Sequence, residues 1–265
     1  MRIGSVNSYQ NNYQLSQTKQ NEKETAKAGR EVASGKKINS AGDNSSAMAV
    51  SQEMLKQLKA LQQSTDNISE GTSVTNITDS AMSSISDNLQ DIEGNSVRAM
   101  NGTLSDSDRA MIQQSVNGSL DTINSVAQNA QYNEKSLLTG SAGNISIATA
   151  DGQISITGND MTTDGLGLSG YSVKDGTADM DTLSAAFDKL TSARSTNGAQ
   201  SNALSSAYNG AQNAIQNTTA SYSQQMDADM TKAISRYKQS AVMNSVQEAM
   251  QKKQMQAGTV FSQMI

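Results

Sequence analysis

The sequence predicts a mainly α fold: an elongated antiparallel helical bundle, or coiled-coil rod, made of N- and C-terminal helices with a small β-hairpin region in the middle. Three observations predict it. No proline occurs in 265 residues, so little hinders long helices. Apolar residues on both sides of the middle recur at steps of three, four and seven, the spacing of one helical face. Between them, residues 139–179 hold glycines at 140, 143, 152, 158, 165, 167, 170 and 176, too densely for a long helix.

The elements follow in order. Met54, Leu58, Leu61 and Ile68 begin an N-terminal stripe, which resumes at Val74, Ile77, Ala81, Ile85, Leu89 and Ile92. A break is expected near Asn101-Gly102. A new start follows at Ser105-Asp106-Ser107-Asp108, whose side chains can accept from unpaired helix N–H groups. Ile112, Val116, Leu120, Ile123 and Ala127 make the next stripe. In the middle, Ile145 and Ile147 alternate with polar residues, Asp151-Gly152 follows, and Ile154 and Ile156 alternate again. That pattern predicts one hairpin near 144–157. The C-terminal part runs Leu183, Phe187, Leu190, Arg194, Asn197, Ser201, Leu204, Tyr208, Ala211, Ile215, Thr218 and Tyr222, a heptad seam. Arg194, Asn197, Ser201 and Thr218 make it polar in places, so it needs partners on more than one side. The central stripes read most simply as the core of an intramolecular bundle.

The chain ends differ. Residues 5–30 carry Val6, Tyr9, Tyr13 and Leu15, then a polar run from Gln17 to Lys27. Residues 226–265 are helix-prone, with Met226, Met230, Ile234, Tyr237, Ala241, Val246, Met250 and Met264 on their stripe. Helices owe most of their stability to packing. Both ends are therefore expected to be poorly ordered in the free chain and to fold against surfaces of other copies. The competing reading is a stable antiparallel pair within one chain.

Composition excludes several function classes. There is no Cys, and no His. Disulfides, thiol nucleophiles, His-ligated metal sites and Ser-His-Asp triads are excluded with them. No enzyme activity and no cofactor are expected; Asp106 and Asp108 read as helix-start residues rather than a catalytic acid pair. A net charge of −5 argues against nucleic-acid binding, which needs a basic stripe. No apolar run approaches the roughly 20 residues that span a bilayer. Met1 to Arg30 shows no apolar core of a cleavable signal peptide. Gly35-Lys36 is no phosphate loop either: Arg30 stands where the first glycine belongs, and Lys37 where Ser or Thr belongs.

One stretch is more specific. Val32-Ala33-Ser34-Gly35-Lys36-Lys37-Ile38-Asn39-Ser40-Ala41-Gly42-Asp43 reads as a helix end at Gly35, a loop, and a helix start capped by Asp43 or Asn44. It resembles the bacterial flagellin family, which has a serine-glycine-x-basic-isoleucine-asparagine-serine-alanine-x-aspartate run here. The resemblance continues at Asp66-Asn67-Ile68-Ser69-Glu70-Gly71-Thr72-Ser73, Leu89-Gln90, Asn101-Gly102-Thr103 and Gln131-Tyr132-Asn133. It covers the C-terminal part from Leu183 to Gly258-Thr259-Val260-Phe261-Ser262-Gln263-Met264-Ile265.

The resemblance implies a structural subunit that polymerises into the flagellar filament for swimming motility. It implies export of the unfolded chain and an extracellular location. Residues 1–42 and 226–265 would form the filament's inner core, 43–140 and 180–225 the central helical rod, and 141–179 a short variable region without outer domains. Self-assembly would fall to Val6, Tyr9, Tyr13, Ile38, Asn39, Asp43, Met230, Ile234, Tyr237, Val246, Met250, Val260 and Phe261. Implied partners are further copies, the flagellar export apparatus, a chaperone at the C-terminal segment, the filament cap and the hook–filament junction proteins. No nucleic-acid partner and no membrane insertion are expected. Many flagellins also carry an arginine-rich segment read by the innate-immune flagellin receptor. The matched positions here are Leu89, Gln90, Asp91, Ile92, Glu93, Gly94 and Asn95. Asp91 and Glu93 stand where the family shows two arginines, so weak or absent receptor activation is expected. For stability, positions 91–95 read as solvated helix. The alternatives to a filament subunit are a hook–filament junction protein and a secreted helical effector or adaptor.

Overall fold

A computed structural model describes the backbone of residues 3–263 and the side chains of residues 12–253, 255 and 256. Among the described residues the elements run α1 (Ile3–Ser34), α2 (Ser45–Ala99), α3 (Asp106–Asn129), β1 (Gln131–Tyr132), β2 (Lys135–Ser136), β3 (Ile145–Thr149), β4 (Gly152–Ile156), α4 (Thr163–Leu166), α5 (Met180–Met226) and α6 (Met230–Gln263). The fold is mainly α with a small β region, as the sequence predicts. Its contacts divide the chain into two units, residues 1–58 with 217–265, and residues 59–216.

The 59–216 unit holds the main apolar core. The stripe positions Ile68, Val74, Ile85, Leu89 and Ile92 of α2 are buried with Ile112, Val116 and Ile123 of α3 and with Leu183, Leu190 and Leu204 of α5. The expected break and restart are present. Ser105 caps α3: its Oγ accepts from Asp108 N at 3.2 Å, while Asp108 Oδ2 accepts from Ser105 N at 3.1 Å. This reciprocal pair satisfies donors that the first helical turn leaves free. The polar seam position Asn197 is buried and donates to Thr75 O at 2.9 Å, but its Oδ1 has no partner.

The β3–β4 hairpin forms in the expected region, with Ile145 opposite Ile156 and Ile147 opposite Ile154. Its turn is one residue earlier than the Asp-Gly step suggests. Thr149 pairs with Gly152, so Ala150 and Asp151 occupy the turn. The hairpin lies on α2 at Gly71, where a Cβ would come 2.9 Å from Ile147 Cγ1. A second hairpin, β1–β2, was not expected. Asn133 (φ 47°) and Glu134 (φ 66°) make its turn in the left-handed region. Asn tolerates that region well and Glu poorly, so the Asn133-Glu134 signal was weak.

The other unit contains α1, the start of α2, the end of α5, and α6. A break at 227–229 separates α5 from α6. Asp229 Oδ1 accepts from Lys232 N at 3.1 Å and starts α6. Here the structure departs from an expectation. Over the described residues α1 and α6 are helical and packed antiparallel, as the competing reading has it. Asn21 meets Asn244 near the middle, and Thr18 meets Gln251 on one side while Glu31 meets Arg236 on the other.

Candidate self-association surface

The loop after α1 is the first feature. Gly35 adopts φ 69°, a conformation in which glycine meets no side-chain penalty. Its carbonyl accepts from Ala228 N at 2.8 Å, and Lys37 N donates to Met226 O at 2.8 Å. Lys37 Nζ donates to Gln224 O at 2.8 Å, and Lys36 Nζ to the Tyr222 hydroxyl at 3.2 Å. Ile38 is buried with Ala47 and Met226, with Met48 and Tyr222 packed against them. Asn39 Nδ2 donates to Lys36 O at 2.8 Å. Asp43 Oδ2 accepts from Asn39 N (3.2 Å), Ser40 N (3.0 Å) and Ser40 Oγ (2.9 Å). The Ser40 hydroxyl, the two backbone N–H groups and Lys27 at 3.8 Å hold the Asp43 carboxyl below the usual carboxylate range, against the opposing effect of burial. Asn44, not Asp43, caps α2 by accepting from Ala47 N at 3.0 Å. Gly35, Lys36, Lys37 and Ile38 thus tie the end of α1 to the α5–α6 break within one chain, while Asn39 and Asp43 shape the loop that carries them.

The α1–α6 pair is the second feature. At the loop end its seam contains Ala28 and Ala233, both buried, and Tyr237, whose ring lies against Gly29. Further along, the seam is polar. Asn21 Nδ2 donates to Asn244 Oδ1 at 2.7 Å and to Ser240 O at 3.2 Å. Asn244 Nδ2 donates to Thr25 Oγ1 at 2.9 Å, and Gln251 Nε2 to Thr18 Oγ1 at 3.3 Å. Gln247 buries its Oε1 without a donor opposite it. Glu31 is buried and takes Arg236 Nη2 at 2.6 Å. Such a seam fixes register but adds little stability, because each bond replaces one made to water.

The larger apolar side chains of the pair flank this seam. Met230, Ile234, Tyr237, Val242, Met243, Val246, Met250 and Met255 of α6 are all exposed, from 39 % at Ile234 to 69 % at Met255. Tyr13 and Leu15 of α1 are exposed too. On one flank, Tyr13, Met243, Val246 and Met250 line a groove of about 220 Å³. Beyond its Ala28–Ala233 end the pair is thus polar between its helices and apolar on its flanks, the reverse of a self-sufficient helix pair. Large apolar patches on a surface mark interaction sites.

Of the sequence-expected assembly residues, Tyr13, Met230, Ile234, Tyr237, Val246 and Met250 are exposed on the pair, with Met230, Ile234 and Tyr237 on one flank of α6 and Val246 and Met250 on the other, beside Tyr13. Ile38, Asn39 and Asp43 belong to the intrachain loop instead. The side chains of Val6, Tyr9, Val260 and Phe261 lie outside the described residues. Sequence reasoning missed Val242 and Met243 in α6, and the whole polar seam. A signal for the seam was present: Ser240, Asn244, Gln247 and Gln251 follow the same 4-3-4 spacing as the apolar residues beside them.

The receptor-matched segment lies in α2. Gln90, Asp91, Glu93 and Gly94 are exposed, and Asn95 donates to Ser115 Oγ at 3.3 Å. Leu89 and Ile92 are fully buried in the core. The reading of 91–95 as solvated is therefore corrected at Ile92, whose place on the apolar stripe takes it inside.

Comparison with known proteins gives the surface its context. Residues 5–143 match the family model described as the bacterial flagellin N-terminal helical region. A flagellin of Shigella flexneri is 35 % identical over 159 residues, 59 % of this chain but only 29 % of that protein. The flagellar filament 30.7 kDa core protein of Treponema maltophilum is 30 % identical over 240 residues, 83 % of this chain and 84 % of that protein. The solved Bacillus cereus flagellin aligns with a TM-score of 0.51 at 26 % identity, covering 55 % of this chain and 88 % of that one. The described residues contain no helix long and apolar enough to cross a membrane. The chain belongs to the bacterial flagellin family.

Proposed function

We propose that this chain is a structural subunit that polymerises into the extracellular flagellar filament, with copies covering the outward apolar surface of the α1–α6 pair. The observation that carries the reading is the inverted pair: polar contacts between Asn21, Thr25, Asn244 and Gln251, with Ile234, Val246 and Met250 left to solvent. Another copy supplies the missing apolar partner. A head-to-tail contact that does not close on itself extends as a helical polymer.

Within that polymer, residues 1–42 and 226–265 form the inner layer, 43–140 and 180–225 the central helices, and 141–179 the outer variable region. Ile38, Asn39 and Asp43 act in assembly by holding the α1 end in place. Val6, Tyr9, Val260 and Phe261 of the terminal segments take part in assembly as well. Partners in export and assembly are the flagellar export apparatus, a chaperone at the C-terminal segment, the filament cap and the hook–filament junction proteins. Asp91 and Glu93 present negative charge where an arginine-reading receptor wants positive. Purified free subunit therefore gives weak or no signal in a receptor reporter cell line; activation at nanomolar concentration contradicts this.

The function is tested by adding short sheared filaments to free subunit and following growth by light scattering and electron microscopy. Elongation is expected. Stoichiometric binding to the ends with no growth would favour a junction protein instead.

A further inference from the structure

The chain has 14 methionines and no cysteine, so its thioethers are its only sulfur open to two-electron oxidants. Their placement is uneven. Met82, Met161 and Met226 are buried. Met230, Met243, Met250 and Met255 are 40 %, 49 %, 49 % and 69 % exposed, and all four lie on α6, Met243 and Met250 on one side of the helix and Met230 and Met255 on another. Met243 and Met250 also line the groove with Tyr13 and Val246.

We propose that Met230, Met243, Met250 and Met255 are peroxide-sensitive modification sites, whose oxidation in the free subunit blocks its addition to a filament. The proposal rests on the filament reading of the α6 surface. Hydrogen peroxide is the oxidant. The sulfur lone pair attacks one peroxide oxygen, the O–O bond breaks, and the S–O bond of the sulfoxide forms. The departing hydroxide takes the remaining peroxide proton and leaves as water. Sulfur loses two electrons and the peroxide gains them.

The product is a strong dipole with a good acceptor oxygen, on a side chain that was flexible and apolar. In the free subunit this oxygen stays hydrated, because each of the four side chains reaches solvent. Burial against another apolar surface strips that water without a donor in exchange, which is unfavourable. In a filament the same thioethers are covered, so oxidation acts on the unassembled subunit far more than on the assembled one. Reduction of the sulfoxides reverses the effect.

The test uses full-length subunit treated with graded hydrogen peroxide, then added to sheared filament seeds. Peptide mass spectrometry locates each added oxygen. Met230, Met243, Met250 and Met255, with exposed Met100 and Met111, are expected to oxidise before Met82, Met161 and Met226. Elongation is expected to slow at least tenfold, and methionine sulfoxide reductases with a thiol reductant are expected to restore it. The M230L/M243L/M250L/M255L variant is expected to elongate after peroxide although Met100 and Met111 still oxidise. A measurement without variants checks the same point. In a partly oxidised pool, chains oxidised at Met243 or Met250 should remain in the supernatant while unmodified chains pellet with the seeds. Equal partition, or a quadruple variant as peroxide-sensitive as its parent, overturns the proposal. Untreated subunit that fails to extend seeds overturns the filament reading itself, and this proposal with it.

Discussion

Replacing Val246 by Asp separates the free subunit's stability from its assembly. Val246 is 47 % exposed on α6. Its neighbours three and four residues away are Val242, Met243, Ala249 and Met250, so no charge within one helical turn on the same face attracts or repels the new carboxylate. Asp and Val have similar helix propensities. In the free subunit the carboxylate stays hydrated, and the stability change should stay within about 0.5 kcal/mol, as for other surface substitutions. Assembly is different. Covering the rest of a half-exposed valine contributes about 1 kcal/mol, which is lost. Stripping water from an unpaired carboxylate adds roughly 3 kcal/mol or more. Together these raise the concentration needed for growth at least about 100-fold, since each ~1.4 kcal/mol is a factor of ten. Seeded elongation followed by light scattering reads the second effect, and thermal unfolding by circular dichroism reads the first. Normal elongation would refute the assignment of this face to assembly. A thermal midpoint lowered by many degrees would show that Val246 packs inside the free subunit.

Other consequences are as specific. Asn244→Leu leaves Asn21 and Thr25 short of partners and should destabilise the α1–α6 pair by about 1–3 kcal/mol. Asn21→Leu with Asn244→Leu should recover most of that loss, and urea unfolding of the two single variants and the double tests the coupling. Gly71→Ala places a Cβ 2.9 Å from Ile147 Cγ1 and 3.3 Å from Leu204 Cδ2. It should destabilise the chain by about 1–3 kcal/mol through overpacking, read as a lower thermal midpoint. Asp43, Asp108 and Asp179 are held below the usual carboxylate range, first by the hydroxyls of Ser40, Ser105 and Thr182. A carboxyl lowered in the folded state stabilises fully above its unfolded value of about 3.9 and loses that stabilisation as pH falls through its lower folded value. The thermal midpoint should therefore change little on these groups' account between pH 7 and 5 and fall below about pH 4. A fall confined to the range above pH 5 would contradict the assignment.

The sequence made the 59–216 unit legible because its apolar spacing and its burial agree. Ile68, Ile85, Leu89, Ile112, Ile123, Leu183 and Leu204 lie on stripes that the structure buries. Ser105 announced the start of α3 by chemistry alone, since Ser and Asp three residues apart can cap reciprocally. The β1–β2 hairpin escaped because its turn lacks glycine. The terminal pair was harder for a deeper reason. Periodicity reports that residues share a helix face; it does not report what that face meets. Met243, Val246 and Met250 have core spacing but face solvent, while Asn21 and Asn244 have the composition of a surface but face each other. Similarly, Ile38, Asn39 and Asp43 are specific enough to carry a family resemblance. Only the structure places them in a loop that clasps Met226 and Ala228 through main-chain hydrogen bonds.

Side-chain footprinting with a diffusible carbene reagent, on free subunit and on filament in parallel, tests the central claim most directly. Tyr13, Ile234, Met243, Val246 and Met250 should be labelled heavily in the free subunit and lose most of that label in the filament. Buried Leu89 and Leu204 should be unlabelled in both. Equal labelling of α6 in the two states would mean that its apolar surface meets no neighbour, and the proposed basis of assembly would be wrong.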